Sequence, residues 1–300
     1  MRAAMVACGI VLLVAVGCGG KTVDDGESYN DQFEAALRIS SPDSRARKLI
    51  SIAHDQHKGK DSAGAEKSLA EAAKACTKVE DPVSRAAVYA RLAGGYASTN
   101  ARLKAHQTME TAQEACRKIE SAESRARAWN QISEVQSREM AAKDDARISL
   151  GEAEKTAAGL DDVFGKVTAL TEIAVLRGKI GDKDGATRVM DLAGEAANTA
   201  ADPSDQSKAY TQIATAQLKR KQTAEALKTL AAAEEAAAKI DGDHKAIYAL
   251  TAVAVQLAKA GQSDKAQKLI KHSNNLAEKI PEEDLKKEAQ THISKQAEKL

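Results

Sequence analysis

Lys58, Ser98, Arg138, Lys179, Lys219 and Lys259 follow one another at intervals of forty or forty-one residues, and five of the six are basic. A column of ammonium and guanidinium groups at constant spacing has ionic chemistry to offer: it would hold carboxylates. His54 and His57, three residues apart, could share a metal ion if both lie on one helix, but two ligands do not make a specific zinc site, and a solvated or groove-lining pair is the simpler reading. His106, His244, His272 and His292 show no pattern. The string GKDSAGAEK from Gly59 contains phosphate-friendly residues but lacks the spacing of a phosphate-binding loop, and reads as a turn. No G-x-S-x-G, Walker A, H-E-x-x-H or C-x-x-C motif occurs. The expectation is a chain that is not an enzyme and that takes no metal and no cofactor.

The N-terminus speaks to location. Residues 1–17 carry Arg2 and then an apolar run from Met5 to Val16, too short for a comfortable membrane span, which is the pattern of a secretory signal. Ala15, Val16, Gly17 and Cys18 resemble the lipobox of bacterial lipoproteins, with Ala15 where leucine is commoner. That resemblance implies a lipidated Cys18, a flexible polar tether over 18–28 and anchoring in the cell envelope. Gly19 after the cysteine implies the outer membrane, facing the periplasm or the cell surface. An ordinary signal peptide with an incidental cysteine is the alternative. Loss of residues 1–17 removes Arg2 alone among the charges, leaving 43 of each sign. A neutral balance gives no support for nucleic-acid binding.

The elements that must position the basic column come from a repeat. Apolar content is 43%, aromatics are only 3%, and the four prolines are outnumbered by helix-forming residues throughout. Ile52, Leu92, Ile132, Ile173, Ile213 and Val253 keep the same register, and Ile293 continues it. Three positions earlier every residue is large, from Leu49 and Tyr89 through Trp129 to Leu250. One position later every residue is Ala or Ser. A second set follows: Ala65, Ala105, Ala146, Ala186, Ala226 and Ala266, then a large apolar residue four later and a small one three after that. Spacings of three and four mark one face of an α-helix.

Ser41, Asp81, Ser121, Asp162 and Asp202 stand at one phase, and Pro42, Pro82 and Pro203 follow three of them, as N-cap and first-turn residues do. Breaks fall mid-unit at KGKD, STNA, GDKDG and AGQSD, so each unit is helix, short turn, helix. The one extra residue that turns 40 into 41 falls near EMAAKDD, in the third turn.

This pattern resembles the tetratricopeptide repeat (TPR): a large residue, an aliphatic three on and a small one next, then Ala thirteen after the aliphatic, with large and small apolar residues following. The resemblance covers 42–281, with half-repeats at 29–40 and 282–300. The period departs from the family's usual 34, and its helix-A tyrosine is kept only at Tyr96, with Gln56, Gln136, Arg177, Gln217 and Leu257 in the other copies. The resemblance implies an all-α solenoid of six two-helix repeats over 29–300 whose first helices line a concave groove. In that groove Lys58, Arg138, Lys179, Lys219 and Lys259 would form a cationic ladder, with Arg47, Arg127 and Lys208 toward the other end and Asn130 and Thr211 between. It further implies a non-catalytic scaffold or adaptor that binds envelope proteins or peptides, acidic segments among them. A bland cause competes with this, because the helix dipole favours cations at helix C-termini. A module binding glycan or cell-wall fragments is the alternative function, and would want exposed aromatics.

Two local features complete the reading. Cys76 and Cys116 sit forty residues apart, and equivalent positions of stacked repeats lie about 8–10 Å apart, beyond the roughly 7 Å a disulfide allows, so both are expected as free buried thiols. Arg45, Arg85 and Arg125 stand in the first turns of first helices, where the dipole disfavours them, and an ion pair with Glu80 or Glu120 of the preceding loop is the expected compensation.

Overall fold

The computed structural model describes residues 28–300, and the expected signal peptide, Cys18 and nearly all of the tether lie outside that range. Fourteen helices follow in order: α1 (Tyr29–Leu37), α2 (Pro42–Lys58), α3 (Ser62–Cys76), α4 (Pro82–Ser98), α5 (Arg102–Arg117), α6 (Ala122–Arg138), α7 (Lys143–Ala158), α8 (Val163–Lys179), α9 (Lys183–Asn198), α10 (Pro203–Lys219), α11 (Thr223–Ala238), α12 (Asp243–Lys259), α13 (Ser263–Ala277) and α14 (Glu283–Ala297). Six antiparallel hairpins run from α2/α3 to α12/α13, with α1 and α14 as half-repeats at the ends. The even-numbered A helices pack on one another in succession, whereas the odd-numbered B helices barely meet and lean on the next A helix instead. An inner layer that closes up and an outer layer that splays is a curved αα-solenoid with its A helices on the concave side.

The repeat columns are the core. Every member of the aliphatic column, Ile52 to Ile293, is buried, as is the alanine column from Ala65 to Ala266. These side chains form a spine between the two layers, broadest from α4 to α10. Each A helix except α14 has 17 residues and the hairpin B helices have 15 or 16, so the long period is helix rather than loop.

The caps fall at the expected residues. Ser41 and Ser121 accept from the N–H of Ser44 and Ser124, Asp81 from Ser84, Asp162 from Gly165 and Asp202 from Ser204. All six A-to-B turns share one device. Lys60, Asn100, Ala141, Gly181, Lys221 and Gly261 each adopt a positive φ, and the next N–H bonds back to a carbonyl of the A helix, as Asp182 does to Arg177 at 2.9 Å. This is the αL helix ending that satisfies orphan carbonyls. In the third turn the N–H of Ala142 reaches Gln136 one residue further back, which locates the insertion.

Two of the three first-turn arginines, Arg45 and Arg125, have a different partner from the one expected. Arg45 donates to the carbonyl of Ile39 at 2.7 Å, and Arg125 to that of Ile119 at 2.7 Å and Glu120 at 3.3 Å. They serve backbone carbonyls of the loop that follows the preceding B helix, not that loop's side chains. Cys76 and Cys116 are free and buried. Burial pushes both thiols up to about 12, helped at Cys76 by the charge of Asp43.

Candidate binding groove

Three consecutive A helices, α6, α8 and α10, wall a cavity of about 1040 Å³ on the concave side. Asn130 and Glu134 come from α6, Glu172 and Lys179 from α8, and Thr215 and Lys219 from α10. Asn130 is 7% exposed; its Nδ2 donates to Glu172 at 3.5 Å while its Oδ1 is buried without a partner. A buried acceptor left unsatisfied on a groove wall is costly unless a bound donor completes it. Lys179 pairs with Glu134 across the repeat at 3.5 Å, whereas Lys219 has no carboxylate within ion-pair distance among the described residues. Arg220, which also lines the cavity, donates to the carbonyl of Ala186 at 3.2 Å, and burial lowers its pKa from the ordinary value.

The residues of the expected ladder fall differently about the two cavities. Arg127, Asn130, Lys179 and Lys219 line this cavity, and Lys208 with Thr211 lines a second one. Arg47, Lys58, Arg138 and Lys259 line neither. Lys58, Arg138, Lys179, Lys219 and Lys259 are each the last residue of an A helix, so the column runs along the solenoid's edge, and the cavity opens only beside Lys179 and Lys219. Arg47, Arg127 and Lys208 are held by acids of their own helices, Asp43, Glu123 and Asp205. His54 and His57 join no group of metal-ligating type, since no set of three or more His, Cys, Asp or Glu that could hold a metal occurs among the described residues.

The second cavity, about 540 Å³, lies on α10, α12 and α14. Tyr248 stands between two histidines, its ring centroid 5.0 Å from that of His244 and 4.0 Å from that of His292. Its hydroxyl donates to Glu288 at 2.9 Å, and burial, then Glu288, raises its pKa. Nε2 of His292 lies 2.9 Å from the Thr251 hydroxyl, and burial, followed by Lys299 and His244, lowers its pKa. Nε2 of His244 is buried without a partner. These histidines look scattered in the sequence, yet His244 and Tyr248 are one helical turn apart, and Tyr248 to His292 is one repeat plus one turn. Reading the repeat and helix periods together would have found the cluster.

Beneath the groove the position of the family tyrosine has become polar. Gln56 accepts from Ser68 at 2.7 Å and Gln136 from Ser149 at 2.8 Å, each across its own buried hairpin. In the fourth repeat Arg177, 8% exposed, replaces them, bonding Asp182 at 2.5 Å and Glu154 at 3.2 Å, while Arg188 also grips Glu154. This network ties α7, α8 and α9 together under the basic wall.

Fold and groove together define a class: an αα-hairpin solenoid of TPR-like repeats with a concave, mixed-charge groove. No protein-family model matches the chain, and no curated protein sequence does. Among solved structures it is similar to Ton1535 from Thermococcus onnurineus NA1, at 16% identity over 88% of this chain and 95% of that one, with a TM-score of 0.48. BtubC (BKLC) from P. vanneervenii gives 19% identity over 70% and 88%, with a TM-score of 0.39. A Podosopora anserina chain described as a kinesin light chain with nearly identical TPR-like repeats gives 16% over 80% and 97%, with a TM-score of 0.32. The fold assignment rests on the helix pairing itself. No helix of the described residues is long and apolar enough to cross a membrane.

Proposed function

We propose that this chain is a non-catalytic scaffold that binds an extended segment of a partner protein along α6, α8 and α10. The observation that carries the reading is the unpartnered Oδ1 of Asn130 beside the cations of the cavity wall. An amide acceptor of that kind suits a peptide N–H, and Lys219 suits a carboxylate on the same peptide. Anchoring in the cell envelope through a lipid on Cys18, at the outer membrane, is part of the proposal and rests on the lipobox resemblance.

Asn130→Ala and Lys219→Glu separate the two contacts. Binding of an acidic peptide library, followed by fluorescence anisotropy, is expected to weaken about tenfold or more for each variant, with salt dependence reduced only in Lys219→Glu. Unchanged affinity in both variants rejects the groove. Labelling with radioactive palmitate that persists in Cys18→Ser rejects the anchor.

A second reading has its own observation. The cavity beside Tyr248 puts carboxylates, hydroxyls and an aromatic together, the groups that hold a sugar, and cell-wall fragments are the corresponding ligands. Calorimetry with soluble peptidoglycan fragments against the chain and its Tyr248→Ala variant tests it, and the absence of heat from the parent chain ends this reading.

A further inference from the structure

The hairpins put all six A-to-B turns on one rim of the solenoid and all B-to-A turns on the other, roughly 25 Å apart along helices of 17 residues. Counted from the last residue of one helix through the third of the next, the A-to-B rim carries thirteen Lys and Arg against eight Asp and Glu. The opposite rim, counted alike, carries seven against fifteen. A chain with almost no net charge is thus polarised across its width.

Local helix chemistry explains the acidic rim but only part of the basic one. Asp81, Asp162 and Asp202 are N-caps, and Asp243, Glu283 and Asp284 stand in first turns where the dipole favours them. On the basic rim, the C-terminal cations of the A helices have the same explanation. Five others do not. Arg102, Lys143 and Lys183 are the first residues of α5, α7 and α9, where the dipole opposes a cation. Lys60 and Lys221 occupy the left-handed turn position at φ of 65° and 61°, where two sister repeats use glycine. These five cations are exposed, and none has a carboxylate within ion-pair distance among the described residues.

Charge kept against local backbone preference marks a surface with another task. We propose that the A-to-B rim docks on an anionic lipid surface. The rim is rich in lysine, a flexible point charge; Lys179, Lys183, Lys219, Arg220 and Lys221 border the groove, but the other cations of the rim, Lys60, Arg102 and Lys143 among them, line neither cavity. Dispersed charge of that kind suits a plane of phosphate headgroups. The rim meets the groove at Lys183 and Lys221, which line the cavity, so the test rests on Lys60, Arg102 and Lys143, which do not.

The test uses the full chain and vesicles of phosphatidylcholine with or without phosphatidylglycerol, read by sedimentation at low and high salt. The neutral vesicles measure what the apolar segment from Met5 to Val16 does by itself. The variant Lys60→Gly, Arg102→Glu, Lys143→Glu cancels the rim's excess of positive charge while giving each position a residue its backbone favours, so its melting temperature is expected to equal or exceed the parent's. Its partitioning onto anionic vesicles is expected to fall at least about tenfold, and parent binding to fall with salt. A control, Lys118→Glu with Lys279→Glu on the opposite rim, is expected to bind within about twofold of the parent. Equal binding to both vesicle types, retained binding in the rim variant, or equal loss in the control overturns the proposal. So does a rim variant that loses soluble polyglutamate but keeps the vesicles, an outcome that would make the rim a protein contact.

Discussion

Arg125, in the first turn of α6, donates to the carbonyl oxygen of Ile119 at 2.7 Å, and so fastens the start of one repeat to the end of the one before. A guanidinium against backbone carbonyls makes a charge-assisted bond. Arg125→Ala is therefore expected to lower stability by about 1–2 kcal/mol. Glu120→Ala is expected to stay within about 0.5 kcal/mol of the parent, because only the carbonyl of Glu120 is used. Urea titration of both variants checks the pair, and a larger loss in Glu120→Ala would restore the ion-pair account.

The contrast shows what a sequence can disclose here. Ile52 through Ile293 and Ala65 through Ala266 were legible because each packing position is written once per period, and a helix face repeats every three or four residues. The acceptor of Arg125 was not legible, since a backbone carbonyl carries no residue type. The groove floor was half legible: Asn130 stood out as polar on an inner face, but its free Oδ1 depends on where Glu172 lies one repeat away. The placement of Lys58 and Lys259 at the ends of first helices was legible from the repeat register, whereas the opening of the cavity beside Lys179 and Lys219 alone was not.

The shared left-handed turn was hidden because only Gly181 and Gly261 have the residue that announces it. At Lys221 the side chain costs about 1–2 kcal/mol in that conformation, part of which glycine returns through a freer unfolded chain. Lys221→Gly is expected to raise stability by about 0.5–1 kcal/mol, and Gly181→Ala to lower it by about 1 kcal/mol or more. Calorimetric melting of the two variants should move in opposite directions.

Gln136 and Ser149 are both buried and bond each other at 2.8 Å. Ser149→Ala leaves the Gln136 carbonyl oxygen unsatisfied, which is expected to cost about 1–3 kcal/mol. Adding Gln136→Leu to it removes the orphan and should recover much of the loss, as the apolar Leu257 and Leu269 do at the same positions of the sixth repeat. A double-mutant cycle should give a coupling of about 0.5–3 kcal/mol, and strict additivity would refute the pairing.

Acid should act through the network around Arg177. Arg188 and Arg177 hold the Glu154 carboxyl below its usual value; at Asp182 burial raises the pKa but the bonds from Arg177 and the Gly185 N–H outweigh it, with a net lowering. Both folded-state values lie below the unfolded ones, near 4.3 for Glu and 3.9 for Asp. The stabilisation is therefore complete above those values and is lost as pH falls through the folded-state values. Urea midpoints measured from pH 6 down to about pH 3 should drop steeply at the acid end. Arg177→Met leaves Asp182 without its main partner and Glu154 with Arg188 alone, and is expected to cost about 3–5 kcal/mol at pH 7. The same variant should show a shallower acid limb, because less pKa depression remains to be lost. A variant as acid-sensitive as the parent would show that carboxylates elsewhere set the acid limit.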